Sequence, residues 1–490
     1  MTDTRALLSR IAEFRKRLEA MPRLTPGAEP EPTVAAKPSV ATDAIESGSR
    51  TQAMLASSLQ KLGETSVSTP PALSNRARRL LTDAHGLVAR LRALVDEPLL
   101  AGPPHQSASS EDADPLAVHF RETAALAEAA VRYAVTFPEV PSEQARLCEG
   151  LEGMIDAARR RFDLMTAAVE GRRIDESRID RLARFLVAMD SSNGPVAPAA
   201  IDALADELLG EGPGRPLRFL TAEPVSKQAY LGGPSYPAPS RFVACHGLNC
   251  ATVLARVVRS NRTWQDRAHE IVLAGLIHDV GMLRVPVAAL GKPGSWDVAE
   301  RKEMQDHARA GAERIMTALP GMSAMAEAVE QHHERLDGTG YPRSIAGEQL
   351  SPLARLLSVA DVYAALCAPR PHRLAHDPRA ALTDVMLLME EGKLDRYAAE
   401  TLLGLGLYPA GTVVELADGT TAVVLAPHDP RVAVHNAAKP MVAMLTDGEG
   451  HAFPSPRFVD LASASNRSVV RTLTPMDRLK RLGRSYPEWV

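Results

Sequence analysis

The residues with the clearest chemical meaning are five histidines and two aspartates that follow the midpoint of the chain. They are His246, His278, Asp279, His307, His332, His333 and Asp361. Eight of the 14 histidines fall between residues 246 and 376, roughly a quarter of the length. Neutral imidazoles and carboxylates are the usual protein ligands of divalent metal ions. Seven such groups exceed what one ion normally takes from protein, so the pattern predicts a two-metal site, which hydrolyses phosphate esters among other reactions.

The sequence around these residues also favours metal binding. His278 and Asp279 end the apolar run IVLAGLI, where a charged pair is costly to bury without a partner. His307 lies one helical turn before Gly311, where the missing side chain lets another helix approach. Asp361 lies inside the apolar segment LARLLSVADVYAALC and requires a cation there. A helix cap or a satisfied core residue explains any one of them, but the seven together favour ligation.

Four motifs resemble the HD-GYP family, a branch of the HD phosphohydrolases. They are HDVG at 278–281, HARAG at 307–311, HHERLDGTGYP at 332–342 and ADVYAAL at 360–366. The resemblance covers about residues 240–408, and the DGTGYP string is its most specific part. It implies an all-helical domain that hydrolyses cyclic di-GMP to linear pGpG or GMP with iron or manganese. Many family members also carry a small β-rich tail that begins, as here, with YPAGTVVEL.

The resemblance assigns the ligands to two metal ions. One ion would be bound by His246, His278, Asp279 and Asp361. The other would be bound by Asp279, His307, His332 and His333, so that Asp279 bridges the two ions. A water or hydroxide shared by both ions would attack phosphorus, which makes Asp279 and His278 the central catalytic positions.

The resemblance also implies substrate contacts. Arg370 and Arg373 match a basic pair that holds the phosphates of the ligand, a task that suits the guanidinium fork. The alternative is that both arginines are solvated charges of a loop. Gly340 and Tyr341 would shape the edge of the substrate pocket.

Three positions depart from the family pattern. Met282 stands where the family has Lys, and Ala364 stands where it has Asp. Losing both together is coherent if the two normally pair, since removing one alone would leave a charge without a partner. Phe242 replaces a Glu that binds a third metal in some members, so two metals are expected. Arg284 is a candidate to restore the missing positive charge; otherwise we expect slow turnover.

These features leave three hypotheses for function. The first is a metal-dependent phosphodiesterase that acts on cyclic di-GMP or a related cyclic dinucleotide. The second is a catalytically weakened receptor that binds the cyclic dinucleotide and signals through protein contacts. The third is an HD hydrolase acting on another phosphate compound, which the DGTGYP string disfavours.

The composition of the whole chain excludes several classes of protein. With 490 residues, two or three domains are expected, and the scarcity of aromatic residues (4%) beside abundant Ala, Leu and Arg favours a mainly α fold. The net charge of −4 shows no excess of basic residues of the kind that binds duplex nucleic acid. Cys245 and Cys250 flank His246 but lack structural-zinc spacing, so we interpret them as small buried residues. With no signal peptide and no membrane-length apolar run, a cytoplasmic protein is expected.

The chain is expected to contain six segments. They are an N-terminal helix at 1–22, a Pro/Ala-rich and disordered linker at 23–73, a helical regulatory or interaction region at 74–214, the HD-GYP-like domain at 240–408, a small β-rich subdomain at 409–465 and a basic tail at 466–490. The 74–214 region would mediate homodimerisation or bind a protein partner. The predicted helices of the central domain span 242–259, 265–280, 297–318, 322–335, 352–367, 378–391 and 394–405.

Overall fold

The structure is a computed structural model that describes most of the chain beyond residue 140. The described residues are 75–93, 123–125, 127, 129, 141–212, 215–221, 238–290, 292, 295–368, 375–428, 436–464, 467–482 and 485–486. They form two compact units, one made of the described residues of Asp175–Leu473 and the other of those of Arg23–Ile174 and Thr474–Val490. The predicted N-terminal helix and linker lie outside the described residues.

The described residues are mainly helical, as the sequence predicts. The α-helices are α1 (Asn75–Ala93), α2 (Pro141–Ser191), α3 (Ala199–Gly210), α4 (Ala238–Ser260), α5 (Arg262–Gln265), α6 (Ala268–Ile277), α7 (Val287–Leu290), α8 (Val298–Ala318), α9 (Ser323–Gln331), α10 (Pro352–Cys367), α11 (Pro378–Glu390), α12 (Arg396–Thr401) and α13 (Pro475–Leu482). Short 3-10 helices span Val280–Arg284, Gly347–Gln349 and Leu402–Leu405. Each predicted helix between 242 and 405 has an observed counterpart.

Helix α2 differs from the prediction because it continues through a region where a break was expected. The Leu/Ala/Arg-rich pattern of the 74–214 region predicts separate helices at 143–170 and 175–190, whereas one helix runs from Pro141 to Ser191. The residues between the two predicted helices include Gly171 but no proline. A glycine inside a helix costs about 1 kcal/mol relative to alanine, whereas proline costs about 3 kcal/mol. One glycine is therefore insufficient to end the helix.

Helix termini in the larger unit are defined by local capping. The Asp297 side chain accepts hydrogen bonds from the first-turn backbone of α8, and Glu300 completes a capping box. Ser351 caps α10, and Pro352 occupies its first turn. These caps fix where two ligand-bearing helices begin.

Glycines allow α4 and α6 to pack unusually close together. A Cβ atom at Gly247 would collide with the backbone of α6, and one at Gly275 would lie 3.0 Å from Cα of Ala251 in α4. Both glycines are near predicted ligands, because Gly247 follows His246 directly and Gly275 precedes His278 by three residues. The absence of side chains at these positions brings the two histidines into the same site.

A five-stranded antiparallel sheet follows the helices. Its strands are β1 (Val413–Leu416), β2 (Thr421–Ala426), β3 (Met441–Thr446), β4 (Ala452–Asp460) and β5 (Val469–Thr472), in the order β4-β3-β2-β1-β5. The Asp-Gly dipeptide at 418–419, which is typical of hairpin turns, lies between β1 and β2, and Gly419 adopts a positive φ of 80°. Strand β5 extends the sheet beyond residue 465, where the β-rich segment was expected to end. Four residues are too short a run to signal a strand by sequence alone.

Within the basic tail, helix α13 follows strand β5. Within the described part of the chain, no helix combines the length and the apolar character that crossing a membrane requires.

Candidate metal centre

The structure brings all seven predicted ligands together. They come from five neighbouring segments: His246 from α4, His278 and Asp279 from the end of α6, His307 from α8, His332 and His333 from the end of α9, and Asp361 from α10. All are buried except His333, whose side chain is 19% exposed. Residues separated by more than a hundred positions in sequence thus share one buried polar site.

The ligand atoms fall into two groups, each with all its atoms within 4.8 Å of one another. The first group contains His246, Cys250, His278 and Asp361, and the second contains Asp279, His307, His332 and His333. The second group is the set that the sequence assigned to one ion. The first group includes Cys250, which the sequence analysis did not regard as a ligand.

Asp279 lies between the two groups and directs one oxygen toward each. Its Oδ2 is 3.6 Å from Nε2 of His278 and 3.7 Å from Nε2 of His246. Its Oδ1 is 3.4 Å from Nε2 of His307 and 3.6 Å from Nε2 of His332. This is the arrangement expected of a bridging carboxylate.

Backbone carbonyls fix the orientation of three imidazoles. Nδ1 of His278 lies 2.9 Å from the carbonyl of Gly275, and Nδ1 of His332 lies 2.5 Å from that of Val329. Nδ1 of His307 makes the equivalent contact three residues back in α8. A carbonyl oxygen only accepts, so each Nδ1 must donate its hydrogen. Each Nε2 therefore presents a lone pair to the centre, which is the usual arrangement of metal-binding histidines.

The resulting arrangement of acceptors fits a cation. Nε2 of His278, His307 and His332 and Oδ1 of Asp279 are buried and have no hydrogen-bond partner within the described part of the chain. The distances between them exceed the usual 2.7–3.2 Å of a hydrogen bond. Lone pairs and carboxylate oxygens that face one another without hydrogens repel, and buried polar groups without partners are costly. Divalent cations between them would remove both penalties.

The two carboxylates remain ionised despite their burial. Burial raises the pKa of Asp279, but the imidazoles of His278 and His307 outweigh burial and hold that pKa well below its usual range. Burial acts the same way on Asp361, but the hydrogen bond from His246 and the nearby imidazoles of His333 and His278 together outweigh it, so that pKa is also lowered. Both carboxylates are in the form that binds metal ions.

The pKa values of the three imidazoles in the second group are shifted in different directions. Burial lowers the pKa of His332, and burial together with the neighbouring imidazole of His332 lowers the pKa of His333 well below its usual value. Burial acts in the same direction on His307, but its contacts with Asp279 and the carbonyl of Met304 and the charge of Asp361 together outweigh burial and raise the pKa. Two of the three imidazoles are therefore held neutral, the state that metal binding requires.

Tyr341 and Gly340 lie beside the second group. The ring of Tyr341 packs against the ring of His333, with centroids 4.7 Å apart. A Cβ atom at Gly340 would collide with the backbone of the segment that follows His333. Gly340 thus lets the loop fold back onto the ligands, and Tyr341 covers the most exposed of the seven ligands. Whether either residue contacts a substrate stays a prediction.

The residues at the three departures from the family pattern are apolar and at least partly buried. Met282 and Ala364 are 8% and 0% exposed, and Phe242 packs against the hydrophobic core. Arg284 does not replace the missing charge, because its guanidinium lies 2.8 Å from the carboxylate of Asp190 and its side chain is 42% exposed. An acidic partner on α2 holds Arg284 at the surface, and no sequence pattern indicated that pairing.

Cys250 is the residue that the sequence analysis missed. Cys245 and Cys250 are both buried, as predicted, but Sγ of Cys250 lies 3.8 Å from Nε2 of His246. The sequence contains one indication of this position: Cys250 follows His246 by four residues, a spacing that places both side chains on one face of a helix. Arg370 and Arg373 lie outside the described residues.

Comparison with known proteins identifies the region that carries this site. Residues 238–397 match the HD domain family, and all seven predicted ligands and the HHERLDGTGYP motif lie within the match. This region is an HD-GYP domain.

The HD-GYP domain is similar to domains of several bacterial enzymes. The chain is 33% identical to cyclic di-GMP phosphodiesterase PA4108 of Pseudomonas aeruginosa over 207 residues, which cover 41% of this chain and 50% of that protein. It is 38% identical to 3'3'-cGAMP-specific phosphodiesterase 3 of Vibrio cholerae over 160 residues, covering 31% of this chain and 32% of that protein. It is 34% identical to cyclic di-GMP phosphodiesterase response regulator RpfG of Xanthomonas campestris over 131 residues, covering 26% and 34%.

The chain spans half or less of the length of each of these relatives. Among solved structures, it aligns with Bd1817, a HDG"Y"P protein from Bdellovibrio bacteriovorus, over 46% of this chain and 68% of that chain. The sequence identity of 16% and the TM-score of 0.32 are too low to support a structural comparison.

Proposed function

We propose that the HD-GYP domain hydrolyses a phosphodiester bond of cyclic di-GMP, or of a related cyclic dinucleotide, with two divalent transition-metal ions. Iron and manganese are the metals we propose, following the family resemblance. One observation carries the proposal: buried imidazole lone pairs and carboxylate oxygens face one another in two groups, and Asp279 directs one oxygen toward each group. Such an arrangement is stable only with cations between its members.

The residues present suit two ions. The first ion would be held by His246, His278, Asp361 and one oxygen of Asp279. The second ion would be held by the other oxygen of Asp279 together with His307, His332 and His333. Two ions so placed activate water for attack on phosphorus and stabilise negative charge on the phosphoryl oxygens.

The protein contributes orientation and exclusion of water. Asp279 sets the spacing of the two groups because one oxygen faces each. The carbonyls that accept from Nδ1 of His278 and His332 hold those rings in place before any ligand binds. Because His333 is the most exposed ligand, we propose that the substrate approaches from the side of His333 and Tyr341.

The names of the similar proteins support a cyclic dinucleotide as the substrate. PA4108 and RpfG are named for cyclic di-GMP, whereas phosphodiesterase 3 is named for 3'3'-cGAMP. We propose cyclic di-GMP first, with 3'3'-cGAMP as the related alternative. Arg370 and Arg373 are proposed to hold the phosphates, since a guanidinium binds two phosphate oxygens at once.

A second candidate function is that of a receptor which binds the cyclic dinucleotide and hydrolyses little. Met282 and Ala364 favour it, because apolar side chains occupy positions where the family has a cation and an anion. Such a receptor would signal through the helical region at 74–214, by homodimerisation or by a protein partner. We also propose that the HD-GYP domain spans residues 240–408 and that the β-rich subdomain begins at residue 409.

Product analysis tests the enzyme proposal against the receptor. Anaerobically purified protein would be incubated with cyclic di-GMP or 3'3'-cGAMP, with manganese or ferrous iron, and the nucleotides separated by chromatography. We expect linear pGpG or GMP, formed only with metal and not by Asp279→Ala. Binding of cyclic di-GMP without any product in metal-replete protein would establish the receptor instead.

A further inference from the structure

Cys250 has a position that packing alone does not explain. It lies one helical turn after His246 on α4, and its side chain is fully buried. Sγ lies 3.8 Å from Nε2 of His246 and within 4.8 Å of the ligand atoms of His278 and Asp361. The sulfur therefore belongs to the first group of ligand atoms by geometry.

An independent observation indicates that this group surrounds an ion. Nε2 of His278 is fully buried and has no hydrogen-bond partner among the described residues. Its ring is fixed by the 2.9 Å contact of Nδ1 with the carbonyl of Gly275, so Nε2 directs a lone pair into the group. A buried lone pair without a donor, next to a sulfur and the carboxylate of Asp361, requires a cation.

The observed separation agrees with two ligands on one ion. Metal–nitrogen bonds are about 2.0–2.1 Å and metal–sulfur bonds about 2.3 Å, so ligand atoms at the tetrahedral angle lie about 3.6 Å apart. Sγ of Cys250 and Nε2 of His246 are 3.8 Å apart. Small adjustments of either side chain suffice for both to bind the same ion.

We propose that Cys250 supplies a sulfur ligand to the ion of the first group. The two metal positions would then differ, since the first has a sulfur and the second has only nitrogen and oxygen ligands. Thiolate ligands favour zinc and other softer metals, whereas carboxylates and water suit magnesium and manganese. The first position would therefore select zinc or ferrous iron over manganese. The inference rests on the metal binding that the proposed function requires.

Cobalt(II) substitution tests this proposal without any activity measurement. Metal-free protein would be loaded anaerobically with cobalt, and its absorption recorded in the near ultraviolet, where sulfur-to-cobalt charge transfer absorbs. The variants are Cys250→Ala and Cys250→Ser, with Cys245→Ala as the matched control. Cys245 is equally buried on the same helix, but its sulfur belongs to neither ligand group found among the described residues. Bound cobalt is counted by elemental analysis.

We expect charge-transfer absorption in the wild type and in Cys245→Ala, and its loss in both Cys250 variants. Zinc affinity should fall in the Cys250 variants by at least the roughly 10- to 100-fold that removing an outer-shell partner costs. Manganese affinity should change little. X-ray absorption of the zinc-loaded wild type should show a sulfur neighbour at about 2.3 Å, which provides a test even if the variants do not fold.

Two outcomes would overturn the proposal, and they are distinguishable. If wild-type protein binds two ions but shows neither charge-transfer absorption nor a sulfur neighbour, Cys250 is not a ligand and the proposed phosphodiesterase stands. If wild-type protein binds no transition metal at all, both the sulfur ligand and the proposed function are wrong.

Discussion

His246 and Asp361 are 115 residues apart in sequence, yet Nε2 of one lies 2.8 Å from Oδ1 of the other. The contact joins α4 to α10 at the first ligand group. His246 donates its Nε2 hydrogen to the carboxylate of Asp361. A cation bound by both residues would replace this hydrogen bond, so the same pair stabilises the packing of two helices and positions two ligands.

The first prediction concerns metal content. The protein should bind two transition-metal ions per chain, since the ligand atoms form two groups. His332→Ala should weaken the second position by at least about 10- to 100-fold, and Asp279→Ala should weaken both because it faces both groups. Elemental analysis of anaerobically prepared protein measures both effects.

His269→Ala provides the control for this measurement. His269 is a half-buried histidine that lies near Asp202 and Asp206 and belongs to neither ligand group among the described residues, so its removal should leave both ions bound. Full occupancy in both ligand variants, or metal loss in the control as large as in Asp279→Ala, would contradict the assignment.

The second prediction concerns the packing of Gly281 against α8. A Cβ atom at this position would collide with the carbonyl of His307 and lie 2.7 Å from the backbone nitrogen of Gly311. Both contacts are with backbone, which cannot rotate away. Gly281→Ala should therefore lower the free energy of unfolding by about 1–3 kcal/mol, as overpacking does, and reduce metal binding by His307.

Denaturant titration and metal analysis together test this prediction. The control is Gly210→Ala at the end of α3, where no atom lies within 4 Å of an added Cβ. Its stability should stay unchanged or rise by up to about 1 kcal/mol, because alanine favours a helix more than glycine does. Equal stability of the two variants would show that the segment around Gly281 is free to move away from α8.

Most of the helices, and the close approach of the seven predicted ligands, could be predicted from the sequence and the family resemblance. That these residues bind metal stays a prediction. Strong helical periodicity fixed the elements between residues 242 and 405, and the motifs placed histidines and aspartates at helix ends and on buried faces. Gly311 was expected to allow close packing, and its backbone does lie against Gly281. These features are local in sequence, so the pattern of residue types is sufficient to indicate them.

The remaining features depend on contacts that no local pattern encodes. Arg284 pairs with Asp190, which lies 94 residues earlier, and the sequence offered no reason to connect them. A cysteine in an apolar helix is usually an ordinary core residue. Only the packing of α6 and α10 near α4 places the sulfur of Cys250 among ligand atoms. Long-range packing decided both outcomes.

The third prediction concerns Arg370, which matches a phosphate-binding position of the family. Arg370→Ala should weaken binding of cyclic di-GMP by roughly 10- to 150-fold, because a hydrogen bond to a charged group contributes about 1.5–3 kcal/mol. Metal content should stay unchanged. Isothermal titration with the metal-loaded protein measures the affinity. Unchanged affinity would indicate that the arginine is a solvated charge of the loop.

The fourth prediction separates enzyme from receptor. Met282 and Ala364 leave the ligand set intact but remove a cation and an anion, a loss comparable to that of an oxyanion donor, about 10²- to 10³-fold in rate. The double change Met282→Lys with Ala364→Asp should accelerate turnover more than either single change. A lone charge at either buried position would lack its partner.

Rate measurements on the wild type, both single variants and the double variant test this coupling. An inert double variant that still binds metal and cyclic di-GMP would favour the receptor. Rapid wild-type turnover would show that the two substitutions are harmless, although Arg284 is held by Asp190 and is not the replacement.

The most direct test of the two-metal account is a metal titration of turnover. Metal-free protein would receive manganese or ferrous iron stepwise under anaerobic conditions, while the hydrolysis of cyclic di-GMP is followed. The account predicts no turnover without metal and a rate that reaches its maximum when two ions are bound per chain. A maximum rate at one ion per chain, or no hydrolysis when both positions are filled, would contradict it.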